Sequence, residues 1–322
     1  MSNAAETAQI LQKLRKLRID TPRDAAFTSR LDRLLRRDEE GSLLPEPLRF
    51  SANRETRGVL VIDGPGGGKT TLIARALERH PALAGSAGDG GHYLEASVPS
   101  PATFKSMGGT LLQRSGFPVI TANREAWRLW ETLRGRLKAL GITVLWIDEA
   151  HDLFCADRNL ILRAIKALMQ GDDAVIVILS GTEMLREIVR SEPQVQRRFS
   201  TLNLPPVAEA TDGADFRGVI AGYSRVAGLE PPSGPDLIPR LFHAARYRFG
   251  RCVETIIGAI ECALQGGADR LAIDHFAEFW ALQEGRPLGG NVFLVPDWLQ
   301  IDPDSGKEDD LPIATRARRQ RK

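Results

Sequence analysis

The run Val59-Leu60-Val61-Ile62-Asp63-Gly64-Pro65-Gly66-Gly67-Gly68-Lys69-Thr70-Thr71 limits the possible folds more than any other segment: an apolar strand, a glycine-rich loop and a helix start follow in direct succession. That succession, closed by Gly-Lys-Thr, is the context in which a Walker A loop works. Glycines are required because backbone N–H groups must wrap around phosphates with no Cβ in the way. The helix N-terminus then adds its partial positive charge. Gly64, Pro65, Gly66, Gly67, Gly68, Lys69, Thr70 and Thr71 are therefore the expected phosphate-binding positions, with Lys69 reaching the β- and γ-phosphates and the Thr70 hydroxyl offered to Mg²⁺. One position departs from the pattern: Asp63 stands where its first glycine falls, and Gly64 is expected to take part of that glycine's role in the turn.

A second apolar strand, Val144-Leu145-Trp146-Ile147, ends in Asp148-Glu149. This is the form of a Walker B element. Asp148 is expected to hold Mg²⁺ through its water shell, and Glu149 to orient and deprotonate the attacking water, because a phosphate loop positions phosphates but supplies no base. The implied ligands are ATP and Mg²⁺, and the implied activity is hydrolysis of ATP to ADP and phosphate. Asp148-Glu149-Ala150-His151 also spells the DEAH of one helicase superfamily, but a helicase needs a second domain of the same kind and only helical sequence follows.

Further candidates are less local. The apolar run Val175 to Leu179 ends at Ser180-Gly181-Thr182, where a polar side chain can touch the γ-phosphate or the attacking water; Thr182 is the first choice, Ser180 the second, and ordinary helix capping by Thr182 the rival. Arg197 and Arg198, just before the last strand of the sheet, are both candidates for an arginine finger reaching a neighbouring subunit's nucleotide. Arg248 and Arg251, flanking Phe249-Gly250, are candidates for a second sensor, with Arg251 assigned to the nucleotide.

Periodicity supplies the architecture. Strands are expected at 58–63, 92–97, 142–148, 174–180 and 200–204, and helices at 69–79, 101–115, 124–140, 158–170 and 182–190. Runs apolar at every position, such as Val175 to Leu179, suit strands covered on both faces. The expected fold is α/β, a P-loop NTPase with a parallel sheet flanked by helices and a smaller all-α lid. Its boundaries are 1–57 for N-terminal helices and linker, 58–207 for the ATPase core, 208–285 for the lid, and 286–322 for a partly disordered extension. In the first segment, Ile10, Leu11, Leu14 and Leu17 mark one helix. Thr21-Pro22-Arg23-Asp24 starts another, whose apolar face is Phe27, Leu31, Leu34 and Leu35 and which packs on the protein body or on a partner.

Composition excludes several classes. No stretch approaches the roughly 20 apolar residues needed to span a bilayer, and the N-terminus lacks the pattern of a signal peptide, so a cytoplasmic protein is expected. The three cysteines form no CxxC pair and support neither a disulfide framework nor a zinc site. A net charge of +2 does not announce nucleic-acid binding, although basic residues crowd Lys13–Arg18, Arg30–Arg37 and Arg316–Lys322. Solvated helix faces and phosphate contacts both explain such clusters.

With these elements in order, the chain resembles AAA+ ATPases, and more narrowly the TniB-like ATPases of transposons, relatives of the TnsC and MuB regulators. The resemblance is carried by the basic lead Leu31–Arg37, GPGGGKTT at 64–71, LWIDEAHDLF at 145–154, ILSGTEML at 178–185 and Gln194–Phe199, and covers about residues 20–285. It implies an ATP-dependent regulator that assembles as a homo-oligomer on duplex DNA, recruits a DDE transposase and a TniQ-like partner, and marks the insertion site. Two other functions are compatible with the same motifs: an AAA+ ATPase acting on protein partners in secretion or signalling, and a nucleotide-gated scaffold with little turnover.

Overall fold

The computed structural model describes residues 4–17, 20–50, 52–85, 91–118, 125–153, 155–234 and 236–304. Its elements in chain order are α1 (Ala4–Lys16), α2 (Pro22–Asp32), β1 (Leu35–Arg37), β2 (Leu43–Pro47), β3 (Gly58–Ile62), α3 (Lys69–Arg79), β4 (Tyr93–Ser97), α4 (Phe104–Arg114), α5 (Ala126–Ala139), β5 (Val144–Asp148), α6 (Arg158–Leu168), β6 (Ile176–Gly181), α7 (Glu183–Arg190), α8 (Pro193–Gln196), β7 (Phe199–Asn203), α9 (Glu209–Val226), α10 (Leu237–Ala244), α11 (Phe249–Gln265) and α12 (Ile273–Glu284). They form two compact units: Asp20–Pro205, and Met1–Ile19 together with Pro206–Lys322.

In the first unit, five strands form a parallel sheet in the order β4-β5-β6-β3-β7. Successive side chains on a strand point to opposite faces, and both faces are apolar here. Val59, Val61, Val144, Trp146, Ile176 and Ile178 pack with residues of α2 and α3. Their neighbours Leu60, Ile62, Leu145, Ile147, Val177 and Leu179 pack with residues of α4 to α7. The register brings functional strand ends level: Ile62 pairs with Gly181 and Ser97 with Asp148. Asp63 then donates its N–H to the Gly181 carbonyl at 3.1 Å, extending the pairing into the loop. Ligands of open α/β sheets bind at this carboxyl edge.

The N-terminal part differs from expectation. At the start of α2, Asp24 accepts from the Thr21 N–H at 2.9 Å and from its hydroxyl at 2.7 Å, and Pro22 takes the first helical position. The helix stops at Asp32, so Leu34 lies beyond it and Leu35 opens a strand. β1 pairs antiparallel with β2, both within residues 1–57, where only helices and a linker are expected. Arg49 fixes the following turn, donating to the carbonyls of Ala174 and Asp172 at 2.9 Å each.

The second unit is helical. Leu11 and Leu14 of α1 join Phe216 and Ile220 of α9, Leu241 and Phe242 of α10, Ile256 and Ile260 of α11 and Phe276 and Trp280 of α12 in one core. Segment 1–57 is therefore split, with α1 in this unit and α2, β1 and β2 in the other. The core also passes position 285, because Val292 and Phe293 are buried in it. The tail 305–322, including the basic cluster Arg316–Lys322, lies outside the described residues. Among the described residues, no helix is long and apolar enough to cross a membrane.

Candidate nucleotide site

The loop between β3 and α3 has the backbone that its glycines permit. Gly66 and Gly68 sit at φ 73° and 90°, in the left-handed region that side chains rarely enter. Lys69 opens α3 and is buried, with its Nζ 3.1 Å from the carbonyl oxygens of both Asp63 and Gly64. Among the described residues those two carbonyls are its bonded partners, and neither is an anion. A buried ammonium without a counter-ion, set inside a glycine cradle, fits a polyphosphate.

Asp63 enters that cradle as a side chain. Its Oδ1 accepts the Gly64 N–H at 2.7 Å, and its Oδ2 lies so close to Gly67 that a Cβ added there would stand 1.9 Å from it. Gly64 thus makes the turn with the help of the Asp63 carboxylate, and Gly67 must lack a side chain because of it.

The end of β5 is joined to this loop by a chain of hydrogen bonds. The Thr70 hydroxyl donates to Asp148 Oδ2 at 2.6 Å, the Ser180 hydroxyl donates to Asp148 Oδ1 at 2.6 Å, and the Trp146 indole N–H donates to Ser180 Oγ at 2.8 Å. Asp148 and Ser180 are both buried. A carboxylate aimed by two hydroxyls beside the loop suits Mg²⁺, which takes few protein ligands and completes its shell with phosphate oxygens and water. No group of three or more His, Cys, Asp or Glu that could hold a metal by itself occurs among the described residues. Glu95 on β4 adds to the negative field: partial burial, and then the charge of Asp148, push its carboxyl above the ordinary value against the opposing pull of Arg114.

Glu149 follows Asp148 at φ 51°, a left-handed backbone that costs a non-glycine residue about 1–3 kcal/mol where surrounding structure enforces it. Its half-exposed carboxylate stands 3.3 Å from His151 Nδ1, an ion-pair distance without hydrogen-bond geometry. Thr182 is the N-cap of α7, directly after β6, and its side chain makes no capping bond. Ser180, the second choice for a sensor, is the hydroxyl that touches Asp148.

The arginine candidates separate sharply. Arg198 is no free finger: its side chain is 2% exposed and donates to Glu55 Oε1 at 2.5 Å and to the Lys166 carbonyl at 2.9 Å. Arg197 donates to the same Glu55 oxygen at 2.8 Å but leaves 60% of its side chain exposed. Burial alone would raise the Glu55 carboxyl, yet the hydrogen bond and charge of Arg198, joined by Arg197, hold it below the ordinary value. Sequence placed both arginines at the same point. The neutralising glutamate lies more than a hundred residues upstream, in a loop with no motif. Arg248 is the N-cap of α11 and Arg251 lies in its first turn, both in the helical unit.

A protein-family model described as "Bacterial TniB protein" matches residues 41–209, more than half of the chain. No curated protein matches it. Among solved structures, the chain is similar to the Aeropyrum pernix ORC1 protein in complex with DNA, with 18% identity, a TM-score of 0.61, and coverage of 85% of this chain and 71% of that one. It is also similar to Cdc6p from Pyrobaculum aerophilum, with 13% identity, a TM-score of 0.60, and coverage of 84% and 69%. The ADP form of the Aeropyrum pernix ORC2 protein matches with 14% identity, a TM-score of 0.54, and coverage of 82% and 69%. At these identities the likeness establishes the fold, a P-loop sheet of the AAA+ type with a helical C-terminal part.

Proposed function

Because the chain belongs to the TniB family of bacterial proteins, we propose that it is an ATP-dependent, DNA-associated regulator of transposition that binds and hydrolyses ATP as an oligomer. The observation that carries the nucleotide part is the hydrogen-bonded chain from Thr70 through Asp148 to Ser180, set beside a buried Lys69 with no anionic partner. The DNA part rests on family membership and on a similar protein described in complex with DNA. Recruitment of a DDE transposase and a TniQ-like partner on duplex DNA belongs to the same proposal, as does a cytoplasmic location.

In this proposal the loop N–H groups and Lys69 hold the phosphates of ATP, with Lys69 exchanging its two carbonyl partners for phosphate oxygens. Thr70 and Asp148 would hold Mg²⁺, which when bound supplies Lewis-acid polarisation of the phosphate oxygens. Ser180 positions Asp148 through its hydrogen bond, and the Trp146 indole positions Ser180. Glu149 leaves His151 to accept a proton from the attacking water, and Thr182, with its hydroxyl unspent on capping, lies beside the same strand end. Arg197 is the finger, reaching the nucleotide of a second copy once it parts from Glu55. Arg251 is the second-sensor candidate. The domains proposed are the ATPase unit and a helical lid that includes α1.

Glu149→Gln tests the assignment of the base. It is expected to keep ATP affinity within a few fold, lower turnover by about 10²–10⁴-fold, and prolong ATP-dependent duplex binding. That binding should weaken steeply with salt, because neutralising phosphates releases counterions. Parental turnover in Glu149→Gln would remove Glu149 from its role, and turnover without duplex binding would remove DNA. One observation favours a second function, the nucleotide-gated scaffold: the Asp63 carboxylate sits within the phosphate loop, where it opposes phosphate charge. ATP binding by the parent protein without measurable hydrolysis would select it.

A further inference from the structure

A cavity of about 440 Å³ lies on the face of the sheet that α7 and α8 cover, next to β7, whose other edge carries no strand among the described residues. Arg186, Arg190 and Arg197 line it, and among the described residues no carboxylate does. Sequence reasoning passed over the first two. Their signal is the four-residue spacing on α7, which puts both on one helical face.

The charges around this cavity do not cancel. Arg197 shares Glu55 Oε1 with the buried Arg198, so one carboxylate serves two guanidiniums. Arg186 stands 3.1 Å from Glu183 Oε1, but that contact lacks hydrogen-bond geometry and leaves its buried Nε without an acceptor. Arg190 is joined to no carboxylate among the described residues. Four guanidiniums thus meet two carboxylates. Gln196, Thr201 and Asn203 add polar edges, and Asn203 turns its carbonyl oxygen to Arg186. Leu60 and Phe199 supply an apolar floor.

Forked guanidiniums favour an anion with several oxygens, and phosphate is the group they match best. We propose that this cavity is a second anion site, one that takes a phosphate group and is separate from the glycine loop. Arg190 supplies its free charge and Arg186 its oriented donors, while Arg197 stays paired with Glu55 at the rim. The phosphate can come from a nucleotide or from a nucleic-acid backbone. Either source brings two or more oxygens into reach of the two side chains.

The test uses the full chain carrying Lys69→Ala, which takes the glycine loop out of the measurement. Inorganic pyrophosphate is titrated by calorimetry into this protein and into the same protein with Arg190→Gln or Arg186→Gln added, each checked by circular dichroism for a parental fold. Binding by Lys69→Ala that weakens at least tenfold with Arg190→Gln, and also falls with Arg186→Gln, is the expected result. Displacement of pyrophosphate by ATP but not by a short duplex assigns a nucleotide phosphate. Displacement by the duplex assigns the nucleic-acid backbone. Absence of pyrophosphate binding, or binding indifferent to both arginine changes in folded protein, overturns the proposal. The proposed function stands or falls separately, since its readout is turnover and duplex retention with Lys69 intact.

Discussion

At the scale of single residues, Glu55 decides what two adjacent arginines can do. Removing Arg198 leaves a buried carboxylate with its main partner gone, whereas removing Arg197 exposes little that was hidden. Arg198→Ala is therefore expected to destabilise the ATPase unit by about 3–5 kcal/mol, the cost of breaking a buried pair from one side. Arg197→Ala should cost less than about 1 kcal/mol, the range of exposed pairs. Urea unfolding measures both, and equal midpoint shifts would show that Arg198 is not the structural partner. Acid separates the pair in another way. The Glu55 carboxyl is held below its ordinary value of 4.5, so the stability it contributes is present above that value and is lost as the pH falls through the lower, folded-state value. Unfolding curves followed from neutral pH into the acid range should show a larger loss in the parent protein than in Glu55→Gln, where other depressed carboxyls such as Glu284 still titrate. None of this is legible at Arg197-Arg198 itself, because burial of one and exposure of the other is set by contacts distant in sequence.

At the scale of elements, the glycine loop and its carboxylate form one device. A methyl group on Gly67 would run into Asp63 Oδ2, while the other oxygen of that carboxylate, Oδ1, is anchored on the Gly64 N–H. Gly67→Ala is expected to lower nucleotide affinity at least tenfold, and adding Asp63→Gly should restore most of it by clearing the space. Titration with a fluorescent ATP analogue reads both. If the double variant binds no better than Gly67→Ala, the contact between Asp63 and Gly67 is not what fixes the loop. The loop was legible in sequence because strand, glycines and Lys-Thr are contiguous, and the parallel strands because their runs are apolar at every position. β1 and β2 were not legible. Leu34 and Leu35 continue the helical spacing of Phe27 and Leu31, and Pro45 and Pro47 give β2 the composition of a connector. Pairing with each other, a non-local matter, makes these short segments strands. Ser180 shows the same limit within the site. The pattern places a polar residue at the tip of β6, but only the packed sheet turns its hydroxyl between Trp146 and Asp148.

At the scale of the whole molecule, the helical unit draws on both ends of the described chain. Leu14 on α1 is fully buried among residues of α9 and α11, although nearly two hundred residues separate α1 from α9. Periodicity revealed that α1 is amphipathic, but it could not tell which core the helix completes. A Leu→Ala change in a close-packed core costs about 2–5 kcal/mol, so Leu14→Ala should loosen the unit formed by α9 to α12. Hydrogen exchange resolves the effect by segment: amides of α9 and α11 are expected to lose protection by about two orders of magnitude or more. Saturating ATP with Mg²⁺ should do the opposite elsewhere. A ligand present at a hundred times its dissociation constant adds about 2.7 kcal/mol to the state that binds it, so β3, the glycine loop and α3 should gain protection in the parent and not in Lys69→Ala. If Leu14→Ala leaves α9 and α11 as protected as in the parent, α1 is a surface attachment and the helical core is complete without it. If the loss appears there, residues 4–16 are part of the helical domain, and any fragment of that unit made without them will lack part of its core.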